Sequence, residues 1–138
     1  MRSVLFYNEE SRFASQTAWL DKHAGYYGFD SVYVVDRTGK WKSSHVYPSL
    51  QAAMSAVPSS MSWVWLDHRG STLLDEFKHP EDNVIYAVGS DLVGFDGKQP
   101  GELPGTAIRL RDTAELFAAM VLPMVLYDRF LYLSGRRK

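Results

Sequence analysis

The segment that most constrains this chain is Val84-Ile85-Tyr86-Ala87-Val88, an apolar run that passes directly into Gly89-Ser90-Asp91-Leu92-Val93-Gly94-Phe95. A short apolar run bounded by turn residues reads as a strand. Two glycines around a carboxylate immediately after it permit positive φ and bring bare backbone close to whatever the turn faces. The turn is not a dinucleotide fingerprint, since no G-x-G-x-x-G is present, and Phe95-Asp96 stands where a phosphate-binding P-loop needs Gly-Lys-Ser/Thr. In open α/β sheets ligands sit beyond the carboxyl ends of strands. This turn is therefore read as a ligand-holding one, with the Leu110–Thr113 turn as a neighbour able to close the same pocket.

Short apolar runs alternate with helical segments along the chain, the pattern of parallel strands joined by crossover helices. Strands are predicted at 3–7, 31–35, 62–66, 83–88 and 106–110, each rich in β-branched or aromatic residues, with a further edge segment at 42–47. Helices are predicted at 11–23, stopped by Gly25, at 49–57 ahead of Pro58, at 71–77, and from Asp112 or Thr113 to about Leu133. The last helix carries Leu116, Phe117, Met120, Val121, Met124, Tyr127, Phe130 and Leu131 on a broad apolar face, with Pro123 removing one backbone hydrogen bond and kinking it. That face either covers the sheet or takes a partner subunit. Gly97, Pro100, Gly101, Pro104 and Gly105 mark a long loop over 94–105, and loops of that length inside compact domains tend to be functional.

At 138 residues, 46% hydrophobic and 14% aromatic, the chain suffices for one compact domain, 1–138, with a substantial core. Fifteen basic against sixteen acidic residues give a formal net charge of -1, so nucleic acid cannot be held by bulk charge and any contact needs a local patch. Candidate patches are Arg37, Lys40 and Lys42 beside Trp41 and Tyr47, the pair Arg109 and Arg111, and Arg136-Arg137-Lys138. Each is either a solvated face or a place to hold phosphates and stack a base. The absence of cysteine excludes disulfides and thiolate sites and fits a cytoplasmic protein. No uninterrupted apolar run approaches the roughly 20 residues that span a bilayer. Asp67, His68 and Ser71 lie close together, yet no G-x-S-x-G elbow supports a hydrolase, and His23, His45, His68 and His79 show no metal-ligand spacing.

Three features in order resemble the SpoU/TrmH branch of the SPOUT family of RNA methyltransferases. Trp63-Val64-Trp65-Leu66-Asp67 and the later His79-Pro80 look like the strand, helix and turn that precede the family's second motif. Ala87-Val88-Gly89-Ser90-Asp91-Leu92-Val93-Gly94-Phe95 is similar to its G-x-E-x-x-G-L core, with Asp91 for Glu and Phe95 for Leu. Ala107-Ile108-Arg109-Leu110, then Glu115-Leu116-Phe117 and Val125-Leu126-Tyr127-Asp128, looks like the third motif. The resemblance implies an α/β domain with a mostly parallel sheet, a C-terminal trefoil knot over about 83–135, and a homodimer built on the last helix. It further implies S-adenosylmethionine lying among Leu66, Gly89, Asp91, Gly94, Ile108, Leu110 and Leu116, with Ile108 and Leu110 offering backbone groups to the adenine.

The activity so implied is methylation of a ribose 2'-hydroxyl of tRNA or rRNA. The sequence departs from the pattern in two further places. Glu115-Leu116-Phe117 replaces the third motif's Ser-Leu-Asn, and Glu10 and Gln16 fall where the first motif supplies an Asn and a hydroxyl-activating Arg. Arg12, one turn before Gln16 on the same helix face, is the substitute cation. The alternative is a catalytically lapsed SPOUT-like dimer that binds RNA or a nucleoside ligand as an accessory module.

Overall fold

The computed structural model describes residues 1–9, 16–29, 31–42, 45–111 and 118–137. Seven strands form one sheet: β1 (Arg2–Asn8), β2 (Ser31–Asp36), β3 (Val46–Tyr47), β4 (Ser62–Leu66), β5 (Thr72–Leu73), β6 (Val84–Val88) and β7 (Thr106–Arg109). Their spatial order is β3-β2-β1-β6-β4-β7-β5, and every pairing is parallel. Central strands of such a sheet are covered on both faces, which is why β6 is buried at every position and reads as a continuous apolar run.

Alternation along the strands sends side chains to two layers. Val4, Phe6, Val64, Tyr86 and Val88 face one way and pack with Leu20, Ala24, Leu122, Val125 and Leu126 from helices α1 (Gln16–Tyr26) and α3 (Ala118–Leu133). Leu5, Tyr7, Trp65, Ile85 and Ala87 face the other way, against Leu50 and Ala53 of α2 (Leu50–Ala56) and against Phe95 and Leu103.

The helix boundaries follow from capping chemistry. Ser49 adopts extended φ/ψ and its side chain accepts from the Ala52 amide, starting α2. Helix α1 does not stop at Gly25 as the sequence suggested. It continues to Tyr26, and Gly28, at φ +79°, turns the chain while the Phe29 amide reaches back to the Ala24 carbonyl and the Gly28 amide to that of Gly25. That hydrogen-bond pair is a Schellman close, and buried Phe29 supplies its apolar contact.

Two further expectations are corrected. The segment 71–77 is not a helix. Thr72–Leu73 pairs with Ile108 and Arg109 of β7, and only Leu74–Glu76 makes a single 3-10 turn. An available strand edge outweighs weak local helix preference here. The 94–105 segment is not structureless either. Phe95 and Lys98 form a bridge, Pro100–Glu102 is a 3-10 turn whose start is tied by the Gln99 amide to Glu102 Oε1, and the Trp65 indole donates to the Pro104 carbonyl at 2.5 Å.

One connection is unusual. β7 lies between β4 and β5, which follow each other in sequence, so residues 67–71 step across β7 to join its two neighbours. The crossing is tight: a Cβ on Gly70 would stand 2.7 Å from the Ala107 carbonyl carbon. The Asp67 amide donates to the Ile108 carbonyl and an Arg109 guanidinium NH to the Gly70 carbonyl.

Candidate functional site

The carboxyl ends of β4, β6 and β7 open onto one pocket. Leu66, Val88 and Ile108 form apolar walls, and Val121 and Val125, one turn apart on α3, close the far side. Gly89, Ser90, Asp91, Gly94, Leu110 and Ala118 also line it, together with Asp67 and Arg69. Of the residues nominated from sequence, Leu66, Gly89, Asp91, Gly94, Ile108 and Leu110 thus lie around the same space. Leu116 and Arg12 fall outside the described residues, as do Glu10, Glu115 and Phe117.

The Gly89 turn is built by mutual backbone contact. The Ser90 amide donates to the Gly94 carbonyl and the Gly94 amide to the Ser90 carbonyl, at 2.8 and 2.9 Å. A Cβ on Gly89 would sit 2.9 Å from the Gly94 carbonyl carbon, and Gly94 itself adopts φ +60°. Inside the turn the Ser90 hydroxyl oxygen accepts the amides of Leu92 and Val93, while its proton goes to Glu9 Oε2 at 2.5 Å. Asp91 Oδ1 accepts the Ala118 amide at 3.0 Å, so the turn carboxylate also holds the first described residue of α3. An amide that donates to a carboxylate makes a charge-assisted hydrogen bond. This one also couples the turn to the wall that carries Val121 and Val125.

At the end of β4, Asp67 is buried and accepts the Arg69 amide, with both its oxygens gripped by the Arg69 guanidinium. Burial pushes the Asp67 carboxyl up, but those hydrogen bonds and the adjacent positive charge outweigh it, and the group is held below the usual carboxylate range. Arg69 also donates to Gln99 Oε1 at 2.6 Å, fastening the 67–71 crossing to the 94–105 segment. His68 lies 3.6 Å from Asp67, and among the described residues no nucleophilic hydroxyl is a partner of this pair. Ile108 contributes as a buried floor whose carbonyl already receives the Asp67 amide.

Sequence reading did not find the Ser90–Glu9 bond, the Asp91–Ala118 bond or the Asp67–Arg69 clamp. The clamp had a local signal, since an Asp bonding the amide two residues on is an Asx turn. The other two join residues distant along the chain and left no such trace.

No family model matches the chain, and no curated protein matches it. Among solved structures it superposes with TM-score 0.74 on a protein from work on the 2-OH methylation of C/U34 on tRNA, at 18% identity, covering 99% of this chain and 98% of that one. A TrmH/SpoU tRNA modifying enzyme of A. aeolicus gives TM-score 0.70 at 13% identity, over 99% of this chain and 78% of that one. The fold is that of the SpoU/TrmH methyltransferases. Another SpoU-fold structure, the methyltransferase AviRb of Streptomyces viridochromogenes in complex with AdoMet, gives TM-score 0.68 at 18% identity over 91% of this chain and 55% of that one. On this SpoU/TrmH frame, the turn after β6 and the end of β7 are adjacent because β4 alone separates the two strands.

Proposed function

We propose that the chain is an S-adenosylmethionine-dependent RNA methyltransferase that acts on a ribose 2'-hydroxyl of tRNA or rRNA. The observation that carries this reading is the convergence on one pocket of Leu66, Gly89, Asp91, Gly94, Ile108 and Leu110, residues that three sequence motifs nominate separately. The pocket suits the cofactor chemically. Leu66, Val88, Ile108, Val121 and Val125 offer an apolar cleft for a purine, Gly89 and Gly94 bare the backbone of their turn, and Leu110 is assigned a backbone contact. Asp91 adds negative charge for a cationic ligand. Bound there, the cofactor supplies an electrophilic methyl group.

The chain's own residues then hold the ligand, keep water out and orient the acceptor. Arg12, on the segment between β1 and α1, is assigned the cation that favours the acceptor oxygen. The step of residues 67–71 across β7, fastened by Arg69 to Gln99, supports a trefoil knot in the C-terminal half. Exposed Met120, Met124, Tyr127, Phe130 and Leu133 on α3, with Trp19 and Tyr26 on α1, support a homodimer through these helices. No helix among the described residues is long and apolar enough to cross a membrane. An RNA-modifying role of this kind would be carried out in the cytoplasm.

The test is calorimetric titration with S-adenosylmethionine, followed by methyl transfer to bulk RNA. Binding with transfer is expected, and Arg12→Ala should slow transfer while leaving affinity within a few-fold. Absence of binding overturns the reading. Binding without transfer favours the second reading, an accessory RNA- or nucleoside-binding dimer, which Gln16 in place of the activating Arg supports.

A further inference from the structure

Glu9 is the first residue beyond β1, and its placement is over-determined. Asn8, just before it, donates to Asp36 Oδ1 at 3.0 Å and to Thr38 Oγ1 at 3.2 Å, and accepts the Thr17 hydroxyl at 2.8 Å. Asp36 in turn accepts the amides of Thr38 and Trp41. Burial raises the Asp36 carboxyl, but this ring of donors brings it down to about 2, so it stays an anion that anchors the end of β1. From that fixed point the Glu9 carboxylate reaches across to the Ser90 hydroxyl, 81 residues later in the sequence. Its second oxygen accepts no hydrogen bond among the described residues.

Ser90 stands between Gly89 and Asp91, both of which line the pocket described above. A second, smaller hollow is lined by Glu9, Tyr7, Thr17 and Leu20 and shares Gly89, Asp91 and Ala118 with that pocket. The two hollows therefore flank one turn. A group seated in the smaller hollow meets Glu9 beside the turn. An alcohol oxygen attacking a methyl group must lose its proton as the new bond forms, and a hydroxyl as weakly acidic as that of ribose needs a base in place at that moment.

We propose that Glu9 is the general base of the reaction, taking the hydroxyl proton while the positive charge stays with Arg12 as assigned above. The proposal rests on the methyltransferase reading above. The acceptor oxygen forms its bond to the methyl carbon, the carbon–sulfur bond of the donor breaks with its electron pair staying on sulfur, and the hydroxyl proton passes to Glu9. Ser90 is a positioning residue: its hydroxyl occupies one carboxylate oxygen and leaves the other to the acceptor.

The experiment compares wild type, Glu9→Gln and Ser90→Ala for S-adenosylmethionine affinity by calorimetry. It also compares single-turnover methyl transfer to bulk RNA from cells lacking this protein, over a range of pH. Glu9→Gln keeps an oxygen able to accept from Ser90. It should bind the donor within about threefold of wild type yet transfer at a rate lower by roughly 10²-fold or more, the usual range for a lost base. The acid limb of the rate profile should vanish in Glu9→Gln and persist in Ser90→Ala. Wild-type transfer rates in Glu9→Gln overturn the proposal and leave the methyltransferase reading intact. A parallel loss of affinity and rate in both variants also overturns it, because Glu9 would then only brace the turn. A wild-type protein that binds the donor but transfers nothing overturns both the base and the enzymatic reading.

Discussion

Gly89 and Gly94 show how far a single missing side chain can reach. The atoms that a Gly89 methyl would strike belong to the Gly94 backbone, 2.9 Å away, and backbone cannot swing aside as a flexible side chain can. Gly89→Ala should therefore pry the Ser90–Gly94 turn open and weaken S-adenosylmethionine binding at least tenfold by calorimetry, with a loss of about 1–3 kcal/mol of stability. Unchanged affinity would remove the turn from the site. His79 offers a pH test. It is buried, with Tyr86 Oη and Asp128 Oδ2 each 2.7 Å from its ring nitrogens. Burial lowers its pKa more than Asp128 raises it. Below about pH 6.5 the unfolded chain takes up a proton that the folded chain refuses, so stability falls as pH drops through that window. Denaturant midpoints measured between pH 7.5 and 5.5 should decline, and His79→Gln should flatten the slope while lowering the plateau. At this scale the sequence was most informative where backbone geometry demanded glycine. It was silent on Glu9 and Ser90, two ordinary polar residues whose meaning comes from meeting.

Elements differ in how openly they announce themselves. β1, β4 and β6 were readable because each is apolar enough to be covered on both faces of the sheet, and α2 because Ser49 caps it. Thr72–Leu73 was not, since two residues carry no periodicity and become a strand only when β7 offers a partner. Gly25 and Gly28 lie one turn apart, and only the carbonyls available to the following amides decide which ends the helix. Gly28→Ala should cost about 1 kcal/mol in denaturant unfolding through the strained left-handed residue, whereas Gly25→Ala should be neutral or stabilising. Helix α3 depends on the turn after β6 through the Asp91–Ala118 bond. Asp91→Ala should destabilise the fold by about 1 kcal/mol. It should also lower donor affinity, because the Val121–Val125 wall loses its tether; Asp91→Asn, which keeps an acceptor, should retain most of the stability. Equal losses in both variants would deny the tether.

For the molecule as a whole, alternating strands and helices pointed to a parallel sheet, and the sheet is parallel throughout. The order of strands was not written in any local pattern, because it is decided by which edges meet after collapse. The exposed ridge of Tyr127 and Phe130, about half accessible at 51% and 48%, leaves an apolar surface that a single copy does not cover. Light scattering should give twice the chain mass, and Tyr127→Glu with Phe130→Glu should return it to one; a monomeric wild type would remove the dimer. The position of β7 has a consequence in time. Its slot is bordered by two strands that residues 67–71 join, so in the knot proposed above the four residues of β7 would thread a hoop made earlier in the chain. On that proposal a molecule that closes the hoop too soon has to reopen it, and slow refolding from denaturant is the expected outcome. The cleft beside β4 exists only with β7 in place, because Ile108 is one of its walls.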